Sequence, residues 1–495
     1  MRVVVIGAGL GGLSAAAYSR QRGHDVLVVD AGSRPGGRAG LVEGLGYRLD
    51  NGPSVLTMPE LLDDVFGAVG ATLDEFCPIK KVDPMYRAVY ADGSELHIRH
   101  GLEAMTAEIN GFSGPKDAEA FGRFCTWLKD LNDVEVPNFI DANFGPGRLK
   151  GLVELARPLG PALQLIRLGG FGKLGPKVAS FFDDERLRRI FSFQAMYAGL
   201  APYDALALYA VITYMDSVKG VYVPEGGMHM LASGLAEALT KADVELQFDT
   251  EVRTILRANG SMGRVTGVEL TTGERIAADV VVCNADLPVA YRTLLGGVDA
   301  PRVARRGKYS PSCVLWIAGV KGTPPANAAH HNIHFGHDWD GAFKALIKDG
   351  ALMPDPSVLV SLHSLSCPSL APEGKSTLYV LEPVPNLDGT IDWSRERNRF
   401  TADLKRRVAG FGYPVDVEIE EVIDPLDWER RGMERGTPFA LSHTFFQTGP
   451  FRPSNIDKRV PGLVFTGSST LPGVGVPMVL ISGKLAAERI DEGWR

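Results

Sequence analysis

At 495 residues, 45% of them apolar and 22% charged, the chain is too long for one small core and too apolar to be disordered, so two or three globular domains are expected. A net charge of -7 removes the electrostatic basis for binding nucleic acid. Glycine, at 57 residues without a repeat period, far exceeds its usual ~7% share, as a backbone needs where it closely approaches a large ligand, and a mean hydropathy near zero hints at a lipophilic partner.

Five scattered cysteines (Cys77, Cys125, Cys283, Cys313, Cys367) form no CxxC pair or Cys/His cluster, so free thiols are expected and no metal site. The opening MRVVVIGAG places glycines where a signal peptide would continue its apolar helix. No run of ~18 apolar residues would span a bilayer. A cytoplasmic chain is expected, soluble or resting on a membrane surface.

From the N-terminus, residues 3–6 form an apolar β-branched run typical of a buried parallel strand, and residues 11–22 read as a helix of small residues. A second such strand, 26–29, ends on Asp30 and completes a βαβ unit. The stretch 31–60 is irregular and rich in Gly and Pro; helix resumes near 59–69, and 86–98 reads as a hairpin turning at Asp92-Gly93. Between 137 and 182, Leu, Ile and Phe alternate with Arg148, Lys150, Arg157, Arg167, Lys173 and Lys177. That pattern suits either a membrane interface or a solvated helical cap. A Gly-Gly turn and helix at 222–239 lead into strands at 244–248, 265–270 and 278–283. The last strand is 462–466, followed by a Gly/Pro-rich turn and a closing helix near 481–490.

Chemistry enters with Gly7-x-Gly9-x-x-Gly12, between a strand and a helix, with Gly11 inside it. Gly7 permits the tight turn, Gly9 lets a pyrophosphate approach, Gly12 lets the helix pack on the strand, and the helix N-terminus offers N–H groups and positive dipole. Asp30 stands where an acid holds ribose hydroxyls. These features together predict dinucleotide binding.

Arg34-Pro35-Gly36-Gly37-Arg38, just beyond, resembles the Gly-Gly-Arg signature of FAD-containing amine oxidases, protoporphyrinogen oxidases and carotenoid desaturases. The resemblance implies FAD as the cofactor, with the glycines passing close to its diphosphate and Arg38 neutralising charge. Asp50-Asn51-Gly52-Pro53 resembles the Asp-x-Gly-Pro segment of phytoene desaturases, and Pro224-Glu225-Gly226-Gly227-Met228 resembles their Pro-x-Gly-Gly-Met turn; both are also ordinary turn chemistry. By that resemblance Glu225 would lie near the flavin, as the one candidate acid or base, and Val252 would contact adenine. The strand ending in Asn284-Ala285-Asp286 resembles a second sheet segment whose residues are mostly core.

Gly467-Ser468-Ser469-Thr470-Leu471-Pro472-Gly473-Val474-Gly475-Val476-Pro477 matches the carotenoid-desaturase turn before a C-terminal helix. It implies that Gly467, Ser468, Gly475, Val476 and Pro477 bound the flavin, with the helix dipole favouring its reduced, negative form. Two departures stand out. Amine oxidases often place an acid where this chain has Ser468, and many bacterial phytoene desaturases carry His where it has Leu471.

The expectation is an α/β fold: a Rossmann-like FAD-binding domain, p-hydroxybenzoate hydroxylase-like, with an inserted α+β substrate domain. The FAD domain would comprise 1–70, 221–295 and 441–495, and the substrate and membrane-associating domain 71–220 and 296–440. The resemblance implies an FAD-dependent carotenoid desaturase that extends phytoene or a related polyene stepwise. Its reduced flavin would pass electrons to oxygen or a quinone, and the protein would lie peripherally on the inner face of the cell membrane. A C30 diapophytoene desaturase, a carotenoid 3,4-desaturase, a retinol-saturase-like enzyme and an FAD amine oxidase remain open, as does a GDP-dissociation-inhibitor-like binding protein without flavin.

Overall fold

The computed structural model describes residues 1–144, 159–258, 260 and 262–493. The apolar runs assemble into a five-stranded parallel sheet in the order Leu463–Phe465, Val280–Cys283, Arg2–Ile6, Asp25–Val29, Glu245–Gln247. Burial on both faces explains why these strands read as continuous rather than alternating. Val3, Val5, Val26 and Val28 face the helices Leu10–Gln21, Met230–Lys241 and Val476–Glu492. Val4, Leu27 and Val29 face an antiparallel three-stranded sheet, Val252–Arg257, Val265–Leu270 and Arg275–Ala277. Helices, parallel sheet and antiparallel sheet thus form three layers around strands drawn from the start, middle and end of the chain.

A seven-stranded sheet runs Asp416–Ile423, Ser312–Lys321, Lys375–Val384, Val358–Ser361, His331–His334, Tyr86–Val89, Glu95–Ile98. Period-two alternation along Ser312–Lys321 sorts its side chains. Val314, Trp316 and Ala318 pack with Phe400 and Leu404 of the helix Trp393–Gly410, while Cys313, Leu315 and Ile317 face Tyr47 and Leu49. The hairpin Leu41–Asp50, which the sequence division gave to the cofactor part, therefore packs beneath this second sheet. A helical layer built on Pro115–Glu135, with Phe121, Phe124 and Leu128 inward, covers its far end.

The hairpin at 86–98 forms as expected. The closing helix starts at Val476, five residues earlier than its apolar pattern suggests. Gly475 (φ +116) caps it and Pro477 sits in its first turn, where a fixed φ and a missing N–H cost nothing. In the basic, apolar stretch 137–182, residues 145–158, with Arg148, Lys150 and Arg157, lie outside the described residues.

Candidate functional site

The turn after the first strand and the turn before the last helix border one cavity of about 1650 Å³. A pocket for one small ligand occupies ~300–1,000 Å³, so this one has room for a dinucleotide and a long second molecule. Asp30, Glu251 and Val252 line it where Thr250 N–H bonds to Asp30 O at 2.8 Å. Gly9 and Gly36 pair as a parallel bridge in its wall, next to Gly37 and Arg38. Ser468, Gly475, Val476 and Pro477 follow. Beyond them the lining turns apolar, with Val211, Met215, Leu315, Phe335 and Leu381.

The backbone dictates much of this wall. A Cβ on Gly12 would lie 2.0 Å from the carbonyl oxygen of Gly7, so only glycine lets the helix Leu10–Gln21 sit this close to the first strand. A Cβ on Gly9 or Gly11 would meet the Asn284 amide at 2.8 Å. The helix start is therefore bare backbone facing the cavity, and it suits a diphosphate. Asp30 accepts from Ala8 N–H (2.6 Å) and Gly32 N–H (2.7 Å), which fixes its carboxylate and leaves lone pairs for ribose hydroxyls. These residues fit FAD.

Arg38 reaches across the cavity floor to Ser468 Oγ and, at 3.4 Å, to Asp286. Asp286, 7% exposed, also accepts from Ser469 Oγ (2.5 Å) and Glu434 N–H (3.2 Å). Asp286 is thus the carboxylate that stands beside Arg38 and the Ser468-Ser469 turn. Sequence reasoning placed Asn284 and Asp286 among core residues, because nothing in a strand end reveals which turn it will meet. Asp286→Ala should weaken FAD binding about tenfold to a hundredfold (~1.4–2.8 kcal/mol), measured by titrating the apoprotein with FAD.

Glu225, expected near the flavin, lies away from the cavity. Its N–H bonds to Pro78 O (2.8 Å), where the strands Ile79–Lys81 and Tyr222–Pro224 pair. That pairing turns the side chain to solvent, where it meets Lys80 at 3.1 Å with more than half its surface exposed, and it does not line the cavity. Leu471 is buried against Ile481 and Leu485.

Other groups do face the cavity. Glu135 is buried with Oε1 unpartnered, and burial pushes its carboxyl well above the usual range. Asp216, raised by burial to about 7, accepts from Ser217 Oγ (2.6 Å), Gln194 Nε2 (3.2 Å) and Tyr86 OH (3.3 Å). His443 lies against the Pro472-Gly473 turn. Behind it Arg452, 3% exposed, donates to the carbonyls of Leu441, Gln447, Ser468 and Thr470.

At its outer end the cavity is bordered by Phe171, Phe445 and Phe451. Phe445 packs on Phe171, Phe446 and Phe451 at ring-centroid distances of 6.3, 5.1 and 5.8 Å, and Phe446 is 72% exposed. Leu159, Leu163 and Ile166 of the nearby helix Leu159–Arg167 are more than half exposed.

The family described as flavin containing amine oxidoreductase matches residues 10–491. The phytoene dehydrogenase of Streptomyces griseus is 45% identical over 99% of this chain and 94% of its own length. The zeta-carotene-forming phytoene desaturase of Myxococcus xanthus is 36% identical over 99% and 93%. Among solved structures, an oxidoreductase from Methanosarcina mazei superposes with a TM-score of 0.64 at 16% identity, covering 99% of this chain and all of its own.

Proposed function

The chain belongs to the flavin containing amine oxidoreductase family, and from that membership and its likeness to phytoene desaturases we propose that it is an FAD-dependent carotenoid desaturase acting on phytoene or a closely related polyene. The observation that carries this reading is the single cavity, whose dinucleotide half continues into a long apolar half. An amine substrate would need a polar seat. The acids in the apolar part are Glu135, whose carboxyl burial pushes toward its neutral form, and Asp216, which accepts from three donors.

Bound FAD would supply a two-electron sink for a hydride from a saturated carbon next to a conjugated segment. The protein's part is to hold and exclude. Arg38 and the start of the helix Leu10–Gln21 neutralise the diphosphate, Asp30 orients the ribose, and the N-terminus of Val476–Glu492 presents positive dipole to the developing negative charge. Leu315, Tyr379 and Leu381 wall one side of the substrate channel and exclude water. Co-expression with phytoene in a bacterium that makes no carotenoids tests the reading. New visible bands are expected, and their positions count the double bonds added. Unchanged phytoene beside a yellow purified protein would overturn phytoene as the substrate.

We read the aromatic cluster as a docking surface on the inner face of the cell membrane. A polyene does not leave lipid for water, and the cluster both borders the cavity and is exposed. Arg167 and Lys173 lie within a few residues of Phe171 in the chain. Among the described residues no helix is long and apolar enough to cross a membrane. A quinone dissolved in the same lipid, or oxygen, would reoxidise the flavin. Each phenylalanine fully inserted contributes ~1.5–3 kcal/mol. Phe445→Ser/Phe446→Ser/Phe451→Ser should therefore lower partitioning into phosphatidylglycerol-containing vesicles at least tenfold while leaving flavin absorbance intact, as vesicle co-sedimentation would measure.

A further inference from the structure

Forming a C=C bond from a C–C single bond removes a proton as well as a hydride, and the cavity wall narrows the choice of acceptor. Asp30, Asp216 and Asp286 already accept from two or more donors each, and Asp30, Glu251 and Asp286 sit at the dinucleotide end of the cavity. Glu135 has a free oxygen, but burial raises its carboxyl and favours the protonated form, which is a poor proton acceptor.

His443 differs on each count. It lines the cavity two residues before Phe445 of the mouth. The Cε1–Nε2 edge of its ring lies against Gly473, where a Cβ would come within 2.2 Å of Cε1 and 2.6 Å of Nε2. The imidazole thus stands between the polyene entrance and the turn that leads to Gly475 and Val476. Nδ1 is 3.3 Å from Thr448 Oγ1, and among the described residues Nε2 has no hydrogen-bond partner. The backbone carbonyl of His443 accepts from Tyr209 OH, which fixes its height.

Resting on the desaturase reading above, we infer that His443 Nε2 accepts the proton lost in the desaturation, with Thr448 accepting Nδ1–H and so fixing the tautomer. One hydrogen of the substrate would leave as hydride, carrying the electron pair of its C–H bond, to a bound flavin that takes up the two electrons. The adjacent C–H bond breaks heterolytically: its electrons become the new π bond and its proton moves to Nε2, then to water at the mouth. A neutral imidazole is the form required. Burial, with the Arg452 guanidinium beside it, holds the ring well below the usual histidine range, so it is uncharged at neutral pH. The other titratable side chain packed on it, Tyr209, stays neutral because burial raises its hydroxyl. A weak base suffices, because the cation left by hydride loss is a very strong acid.

The test uses yellow holoenzyme and phytoene in phosphatidylcholine vesicles, mixed without oxygen, with flavin bleaching followed in a single turnover. His443→Gln should keep the oxidised flavin spectrum and the melting temperature but bleach ~10²–10⁴-fold more slowly. Added imidazole should restore part of the rate, which loss of mere packing would not allow. A wild-type rate in the variant, or a slow rate that imidazole leaves unchanged, overturns the assignment. Should the variant lose flavin, the wild-type profile decides. Because the ring is held below the ordinary imidazole value of ~6.5, bleaching should stay constant through that pH and slow only well below it, and a rate that already falls above it overturns the assignment. If wild-type holoenzyme does not bleach with phytoene, the desaturase reading itself fails, an outcome distinct from these.

Discussion

Gly12→Ala is expected to yield a chain that carries no flavin. The added Cβ would lie 2.0 Å from the carbonyl oxygen of Gly7 and 3.3 Å from Asn284 Cβ, and both are fixed by the parallel sheet. Alanine gains ~1 kcal/mol of helix propensity over glycine. Against that stand ~1–3 kcal/mol of overpacking and the loss of ligand stabilisation, ~2.7 kcal/mol at a hundredfold excess of FAD over its Kd. The balance is unfavourable. Displacing the helix Leu10–Gln21 also moves the N–H groups that face the diphosphate, so the cofactor site is lost before the fold is. Purified Gly12→Ala should be colourless and melt below wild type, and added FAD should not raise its Tm. A yellow variant with wild-type Tm would contradict the placement of the helix.

The second large effect is expected at Arg452. Burial lowers its guanidinium to about 10, so it is still charged at neutral pH, and it donates to four carbonyls on two segments. Leu441 and Gln447 flank His443 and the aromatic mouth, while Ser468 and Thr470 belong to the turn beside the flavin. Arg452→Met removes charge-assisted bonds and leaves buried carbonyls unmatched, a cost of at least ~3 kcal/mol. Arg452→Lys keeps the charge without the planar fork and should recover only part of that. Denaturant unfolding of both variants measures the order expected, wild type above Lys above Met. FAD affinity should fall with it, because Ser468 is also the partner of Arg38. Equal stability of Met and wild type would show that the two segments are held otherwise.

What could be read in the sequence and what could not divides along a physical line. The first turn, the Gly-Gly-Arg segment and the last turn were legible because the backbone itself meets its neighbours there, and only glycine tolerates that. Arg38 follows from its place beside two glycines. Asp286, Arg452 and His443 were not legible, since each acquires its role only when distant segments fold together. Asp286 meets Arg38 across 248 positions, and His443 meets Gly473 through the fold of the turn. Glu225 shows the opposite failure. Its turn motif fixed the backbone, but strand pairing with Ile79–Lys81 decided which way the side chain points. The hairpin Leu41–Asp50 lies close in sequence to the Gly-Gly-Arg segment, yet its Tyr47 and Leu49 belong to the core of the other sheet. A domain division drawn along the chain cannot show that.

One apolar cavity is expected to bring a polyene to a bound flavin. The most direct measurement mixes purified yellow protein, without oxygen, with phytoene in phosphatidylcholine vesicles and follows flavin absorbance and pigment together. The flavin should bleach once as one product with a longer conjugated system appears per flavin reduced. A flavin that stays oxidised with phytoene but bleaches with a water-soluble amine would contradict it.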